Sequence, residues 1–165
     1  RAAALRLQCG GAAGTLDKLG DAGPKVATAL GQELDLPVPP HHWQTNRRGL
    51  TALTNWCAAV TAALGKIGQD VTLMTQNEIG ELRVTSGGGS SAMPHKVNPI
   101  NAEVLVTLSR FVAVQSGGMQ LAAVHEQERS GISWTLEWML LPQIVAATGV
   151  ASLRAKALLA SIAMP

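Results

Sequence analysis

Leu50, Leu53, Cys57, Val60, Leu64, Ile67, Val71 and Met74 recur at alternating steps of three and four residues. That is one apolar face of an α-helix, held for more than three heptads. With its flanks, roughly residues 45–80, the helix would run about 50 Å at ~1.5 Å per residue. A helix that long needs long neighbours to cover its stripe. The spacing predicts a second helix from Pro99 to about Arg129, with Leu105, Leu108, Val112, Met119 and Ala122 on one face. A third is expected over about Glu137–Ala163, with Pro142 near its start, where a missing N–H is tolerated. Upstream, residues 1–9 read as the end of a helix, and Pro24 opens a short one closing near Leu36. Pro37, Pro39 and Pro40 then enforce an extended connection. No strand pattern or internal repeat is visible. The expected class is all-α, a bundle of long helices forming one domain over residues 1–165.

Composition narrows this picture. Hydrophobic residues make up 47% of the 165, yet only 3% are aromatic, which suits closely packed helices better than a β-sandwich. A net charge of +2, with Arg47-Arg48 the only basic pair, gives no nucleic-acid signature. Cys9 and Cys57 lack a CxxC partner and read as reduced thiols. No apolar run approaches the ~20 residues of a membrane span and no signal peptide is visible, so a cytoplasmic location is expected. Arg1 and Pro165 both abut Ala/Leu-rich helical patterns, and the chain reads as a piece of a longer subunit.

Residues 81–98 interrupt the helical pattern with more than a linker would need. Gly87-Gly88-Gly89 permits positive φ and backbone N–H groups turned toward a ligand. Ser90 and Ser91 supply hydroxyls, and Lys96 a charge. Asn98-Pro99 reads as N-cap and first position of the next helix, whose positive end faces the loop. Together these groups suit an anion, a carboxylate or a phosphate. A nucleotide P-loop fails, because His95 and Val97 flank Lys96 where Gly and Ser/Thr are required. On composition alone a flexible glycine linker remains open.

The string Gly89 to Pro99, GSSAMPHKVNP, resembles the GSSxMPxKxNP signature loop of the fumarase/aspartase superfamily at all eight specified positions. The resemblance implies the central helical domain of that superfamily, homotetramers with a shared helical core, and active sites built from several subunits. It implies addition or elimination through an enediolate-like carbanion on a polycarboxylate, with no metal or organic cofactor. Ser90 would be the base or its conjugate acid, and Lys96 would stabilise its oxyanion. Lys96 and Asn98 would hold the substrate carboxylate, and Ser91, Met93 and His95 would line the pocket. The segments LQCGGAAGTL (7–16) and ERS…W…EW…LP (128–142) resemble the muconate cycloisomerase branch, which closes a lactone. Gln127 stands where that branch usually has His, and a histidine appears instead at His125. The segment that supplies the general-acid histidine in the family is not among these residues. Adenylosuccinate lyase, or another β-elimination lyase, is the alternative enzyme. A catalytically silent helical assembly protein is the non-enzyme one.

The remaining candidates are weaker. Arg129 either pairs with Glu126 or Glu128 or, by the resemblance, binds a substrate carboxylate. His125-Glu126 does not extend to HExxH, since Arg129 holds the last position, so no metal site is expected. Trp134 and Trp138 share a helix face, as core or as pocket wall. Thr15 either caps a helix or touches substrate, and His41-His42 read as solvated. The expected partners are a small polycarboxylate and further copies of the chain, with no nucleic acid and no membrane.

Overall fold

The computed structural model describes residues 6–85, 87–89 and 97–164. Four α-helices carry them: α1 Gly23–Glu33, α2 Arg48–Met74, α3 Ile100–Ala122 and α4 Gly131–Ser161, with a short 3-10 helix, Asp17–Ala22, before α1. The all-α expectation holds. Four two-residue strands accompany the helices: β1 Arg83–Val84, β2 Gly88–Gly89, β3 Val97–Asn98 and β4 Ile162–Ala163. They pair antiparallel as β1 with β4 and β2 with β3. Strands of two residues show no alternation, so nothing in the hydrophobic pattern announced them.

Several boundaries differ from expectation, each for a local reason. Residues 6–9 are extended rather than helical, and the Leu7 N–H donates to the Pro37 carbonyl at 3.0 Å. The glycines at 10 and 11 leave nothing to continue a helix into. α1 stops at Glu33 because Asp35 turns left-handed (φ 50°). The Leu36 N–H then reaches the Gly31 carbonyl at 2.9 Å and the Asp35 N–H the Gln32 carbonyl at 3.3 Å, a Schellman closure. α3 ends at Ala122 rather than near Arg129, and residues 123–130 form a turn. α4 starts at Gly131, earlier than expected, so Pro142 lies well inside it. The ring costs one backbone hydrogen bond there, on an exposed position where solvent can serve the freed carbonyl.

The chain divides into two compact units. One comprises Arg1–Thr54 and Gly118–Leu140, the other Asn55–Gly117 and Leu141–Pro165. The second unit is cored by Val71, Val84, Ala102, Leu105, Ala151, Ala155 and Leu158. The α3 face expected from the sequence is the one buried, except that Leu108 is only half-covered. On α2 the buried line is displaced from the apolar stripe. Cys57 and Val71 are buried, but so are Thr54, Thr61, Gly65 and Gly68. The threonine hydroxyls make this possible by donating to carbonyls of their own helix, Thr61 to Cys57 at 2.9 Å and Thr54 to Thr51 at 3.1 Å. The glycines admit α3 closely: a Cβ on Gly68 would stand 2.5 Å from the Ala102 carbonyl oxygen. Leu50, Leu53, Val60, Leu64, Ile67 and Met74 are left half-covered.

Among the described residues one helix, α4, is long and apolar enough by length and composition to cross a membrane. Counting uninterrupted apolar runs missed this, because Thr148 and Ser152 break the runs while Ala, Val and Leu dominate the average.

Candidate active site

The motif loop is anchored at both ends. β2 and β3 pair Gly88 with Asn98 and Gly89 with Val97, so the residues flanking 90–96 stand opposite one another. Ser90, Ser91, Met93, His95 and Lys96 lie outside the described residues. Two expectations about the flanks are corrected. Gly88 and Gly89 are strand residues without positive φ, so they do not take the left-handed backbone of the anion nest expected there. The glycines are needed for close packing instead: a Cβ on Gly87 would lie 2.5 Å from the Asn98 carbonyl oxygen. The helix also begins one residue late. The Pro99 carbonyl accepts from the N–H groups of Ala102 (2.9 Å) and Glu103 (3.1 Å), which makes Pro99 the N-cap and puts Asn98 in β3. The N-terminus of α3 still follows the loop directly, and its positive end remains available to an anion. Glu103, which the sequence reading passed over, sits in that first turn.

The other unit holds a buried polar cluster. Arg47, just before α2, is paired bidentately with Glu137 of α4, its Nε donating to Oε1 at 2.6 Å and its Nη2 to Oε2. Both side chains are buried, and Arg47 also donates to the Gln44 carbonyl at 3.2 Å. The His125 side chain is fully buried beside them. Its Nε2 stands 3.6 Å from Glu137 Oε1, and its Nδ1 accepts the Ser130 N–H at 3.2 Å. Ser133 closes the same turn, donating through Oγ to the Val124 carbonyl at 2.6 Å. Glu126 is fully exposed, and its carboxyl is held below the ordinary range, first by the Ser130 hydroxyl and then by a backbone hydrogen bond. Gln127 is left-handed, with φ 48°. Arg129 lies over the Trp134 ring at 4.0 Å, and among the described residues no carboxylate pairs with it. Trp134 and Trp138 pack together at 4.4 Å, as their spacing implied; Trp134 is half-buried and Trp138 exposed.

The glycine cluster upstream is packed against the chain itself. A Cβ on Gly10 would meet Gln44 Oε1 and His42 Nδ1 at 2.9 Å, and Gln44 Nε2 donates to the Ala12 carbonyl at 2.9 Å. Thr15 is exposed and caps nothing, since left-handed Leu16 occupies the N-cap of the 3-10 helix without a side-chain bond. A cavity of about 230 Å³ lies between Leu7, Cys9, Leu16, Pro39 and His42, and none of the expected site residues lines it.

Sequence reasoning missed the Arg47–Glu137 pair. The two residues are 90 positions apart, and each looks like an ordinary surface charge in its own segment. The one available signal was the displaced histidine, which the fold buries at 125.

A family model described as lyase matches residues 1–114. The chain belongs to this lyase family. It is 41% identical over 147 residues to a 3-carboxy-cis,cis-muconate cycloisomerase of Bradyrhizobium diazoefficiens, covering 87% of this chain and 33% of that protein. It is 34% identical to a nitrosuccinate lyase of Streptomyces davaonensis, covering 98% of this chain and 36% of that protein. The crystal structure of 3-carboxy-cis,cis-muconate lactonizing enzyme from Pseudomonas putida superposes with a TM-score of 0.89 at 35% identity, over 98% of this chain and 36% of that one. The superfamily resemblance of the loop is thereby shown. The chain spans about a third of the length of the relatives it matches.

Proposed function

We propose that this chain is the central third of a subunit of a 3-carboxy-cis,cis-muconate cycloisomerase. The observation that carries the reading is the intact signature, Ser90, Lys96 and Asn98 included, in a lyase-family chain 41% identical to a protein of that name. In the reaction, one substrate carboxylate adds across the conjugated double bond to close a lactone. The electron pair displaced from that bond is held as an enediolate by the neighbouring carboxyl group until a proton arrives. Ser90 gives or takes that proton. A serine hydroxyl is far too weak an acid in water, so its oxyanion needs Lys96 and the positive end of α3 in a dry site. Asn98 and Lys96 hold the carboxylate where charge develops, and Ser91, Met93 and His95 line the pocket around it. Arg129, stacked on Trp134 and free of any carboxylate partner among the described residues, is the second carboxylate anchor. The chemistry asks for no metal and no organic cofactor.

Active sites of this kind are assembled from several copies of the subunit, and we place the enzyme as a homotetramer in the cytoplasm. The buried Arg47–Glu137 pair supports reading α4 as a core helix rather than a membrane span. The similarity to nitrosuccinate lyase favours β-elimination as the second reading. A nucleotide substrate fits less well. Where adenylosuccinate lyases place an arginine for the phosphate, this chain has Trp138, whose indole offers one N–H and no charge. Ultraviolet absorbance with one preparation of the complete enzyme tests the choice. Loss of 3-carboxy-cis,cis-muconate without cleavage of adenylosuccinate is expected; preference for adenylosuccinate would overturn the reading.

A further inference from the structure

The turn 123–130 carries Arg129 and places one imidazole, His125, beside the buried cluster. His125 Nδ1 accepts the Ser130 N–H at 3.2 Å. Nε2 faces Glu137 Oε1 at 3.6 Å, beyond hydrogen-bond reach, and has no other partner among the described residues. Glu137 is already bidentate to Arg47, so its charge is compensated and its oxygens are fixed in place. The groups facing His125 are therefore Glu137 from α4, Arg47 behind it, and Glu126 from its own turn. Next to Ser130, Arg129 stands on Trp134, and among the described residues no carboxylate pairs with its guanidinium. Gln127 sits in the left-handed region between the two, a conformation that a side chain of its kind adopts only when the surroundings impose it.

We propose that His125 is a positioning residue: buried beside the Arg47–Glu137 pair, it sets the turn that presents Arg129 to a carboxylate of the substrate. It does so by accepting the Ser130 N–H, and it takes no part in proton transfer to the substrate. This rests on the assignment of Arg129 as a carboxylate anchor. Without that acceptor the anchor is lost while the proton-transfer machinery of the motif loop is untouched. The signature is a raised KM for the carboxylate substrate, with kcat unchanged.

The test uses the complete enzyme with 3-carboxy-cis,cis-muconate, measuring kcat and KM for three variants. Arg129→Gln should raise KM strongly. His125→Leu removes the acceptor and should raise KM roughly tenfold, the effect of one lost hydrogen bond of ordinary strength, with kcat nearly unchanged. His125→Asn keeps an acceptor oxygen at the place of Nδ1 and should restore KM. If Arg129→Gln leaves KM unaltered, the anchor assignment fails and the positioning role falls with it. If Arg129→Gln raises KM but His125→Leu does not, or if His125→Asn fails to restore it, the positioning role alone is overturned. Should the leucine variant not fold, the KM of His125→Asn decides.

Discussion

At the scale of single residues, the proposed chemistry and the stability fall on different side chains. If Ser90 carries the proton as proposed, Ser90→Ala should lower kcat by about a thousandfold or more while leaving the assembly intact, since the acid–base group is lost. Ser91→Ala should be milder. Turnover by the Ser90 variant at near the parent rate would remove Ser90 from the mechanism. The Arg47–Glu137 pair behaves differently, because both partners are buried. Glu137→Leu strands a guanidinium and should cost about 3–5 kcal/mol in chemical denaturation. Arg47→Met combined with Glu137→Leu should recover most of that loss, since an apolar pair needs no compensation. Additive losses in the double variant would contradict the account. Glu126 supplies a smaller, pH-dependent contribution. Its folded carboxyl is held low by the Ser130 hydroxyl, so the contribution is present above the unfolded value and is lost as pH falls through the lowered folded one. Glu126→Gln should therefore lower stability slightly at neutral pH, leave it unchanged at acid pH below the folded value, and so flatten the acid limb of the stability profile.

At the scale of elements, the seam between α2 and α3 is made by small residues. Gly65 and Gly68 stand where a Cβ would meet Ser109 Oγ and the Ala102 carbonyl oxygen, each at 2.5 Å. Replacing a helix-interior glycine by alanine usually gains about 1 kcal/mol of propensity. Here the obstacle at Gly68 is backbone and cannot rotate away, so Gly68→Ala should instead destabilise by about 1–3 kcal/mol. A rise in melting temperature for that variant would show that the helices are not so close. The β2–β3 ladder has a related role. By pairing Gly88 with Asn98 and Gly89 with Val97 it fixes the two flanks of the motif directly before α3.

At the scale of the whole molecule, apolar surface is left over. Trp56, Val114, Ile132 and Leu153 are all more than half exposed in this single chain, and they lie on α2, α3 and α4. A soluble monomer rarely tolerates so much along its longest helices, and the homotetramer proposed above is the simplest cover. Light scattering on the complete enzyme should give a tetramer, and Leu153→Glu should shift it toward smaller species with loss of activity. A fully active monomer would contradict both the assembly and the shared active sites. By the same reasoning, purified residues 1–165 should show no cycloisomerase activity.

Much of this could be read from the sequence by itself. The helix class, the face of α3 and the superfamily signature followed from periodicity and from one eleven-residue string, because both are local properties of the chain. Helix ends were less legible: α1 closes on a left-handed Asp35, and α4 continues through Pro142. Only the tertiary structure decided which line of α2 is buried, since Gly65 and Gly68 let α3 approach more closely than the bulkier stripe beside them would allow. Only it joined Arg47, His125 and Glu137, because burial turns three ordinary polar residues far apart in sequence into a cluster that must satisfy itself. Local pattern carries propensity and motif chemistry, while desolvation and close approach exist only once distant segments meet.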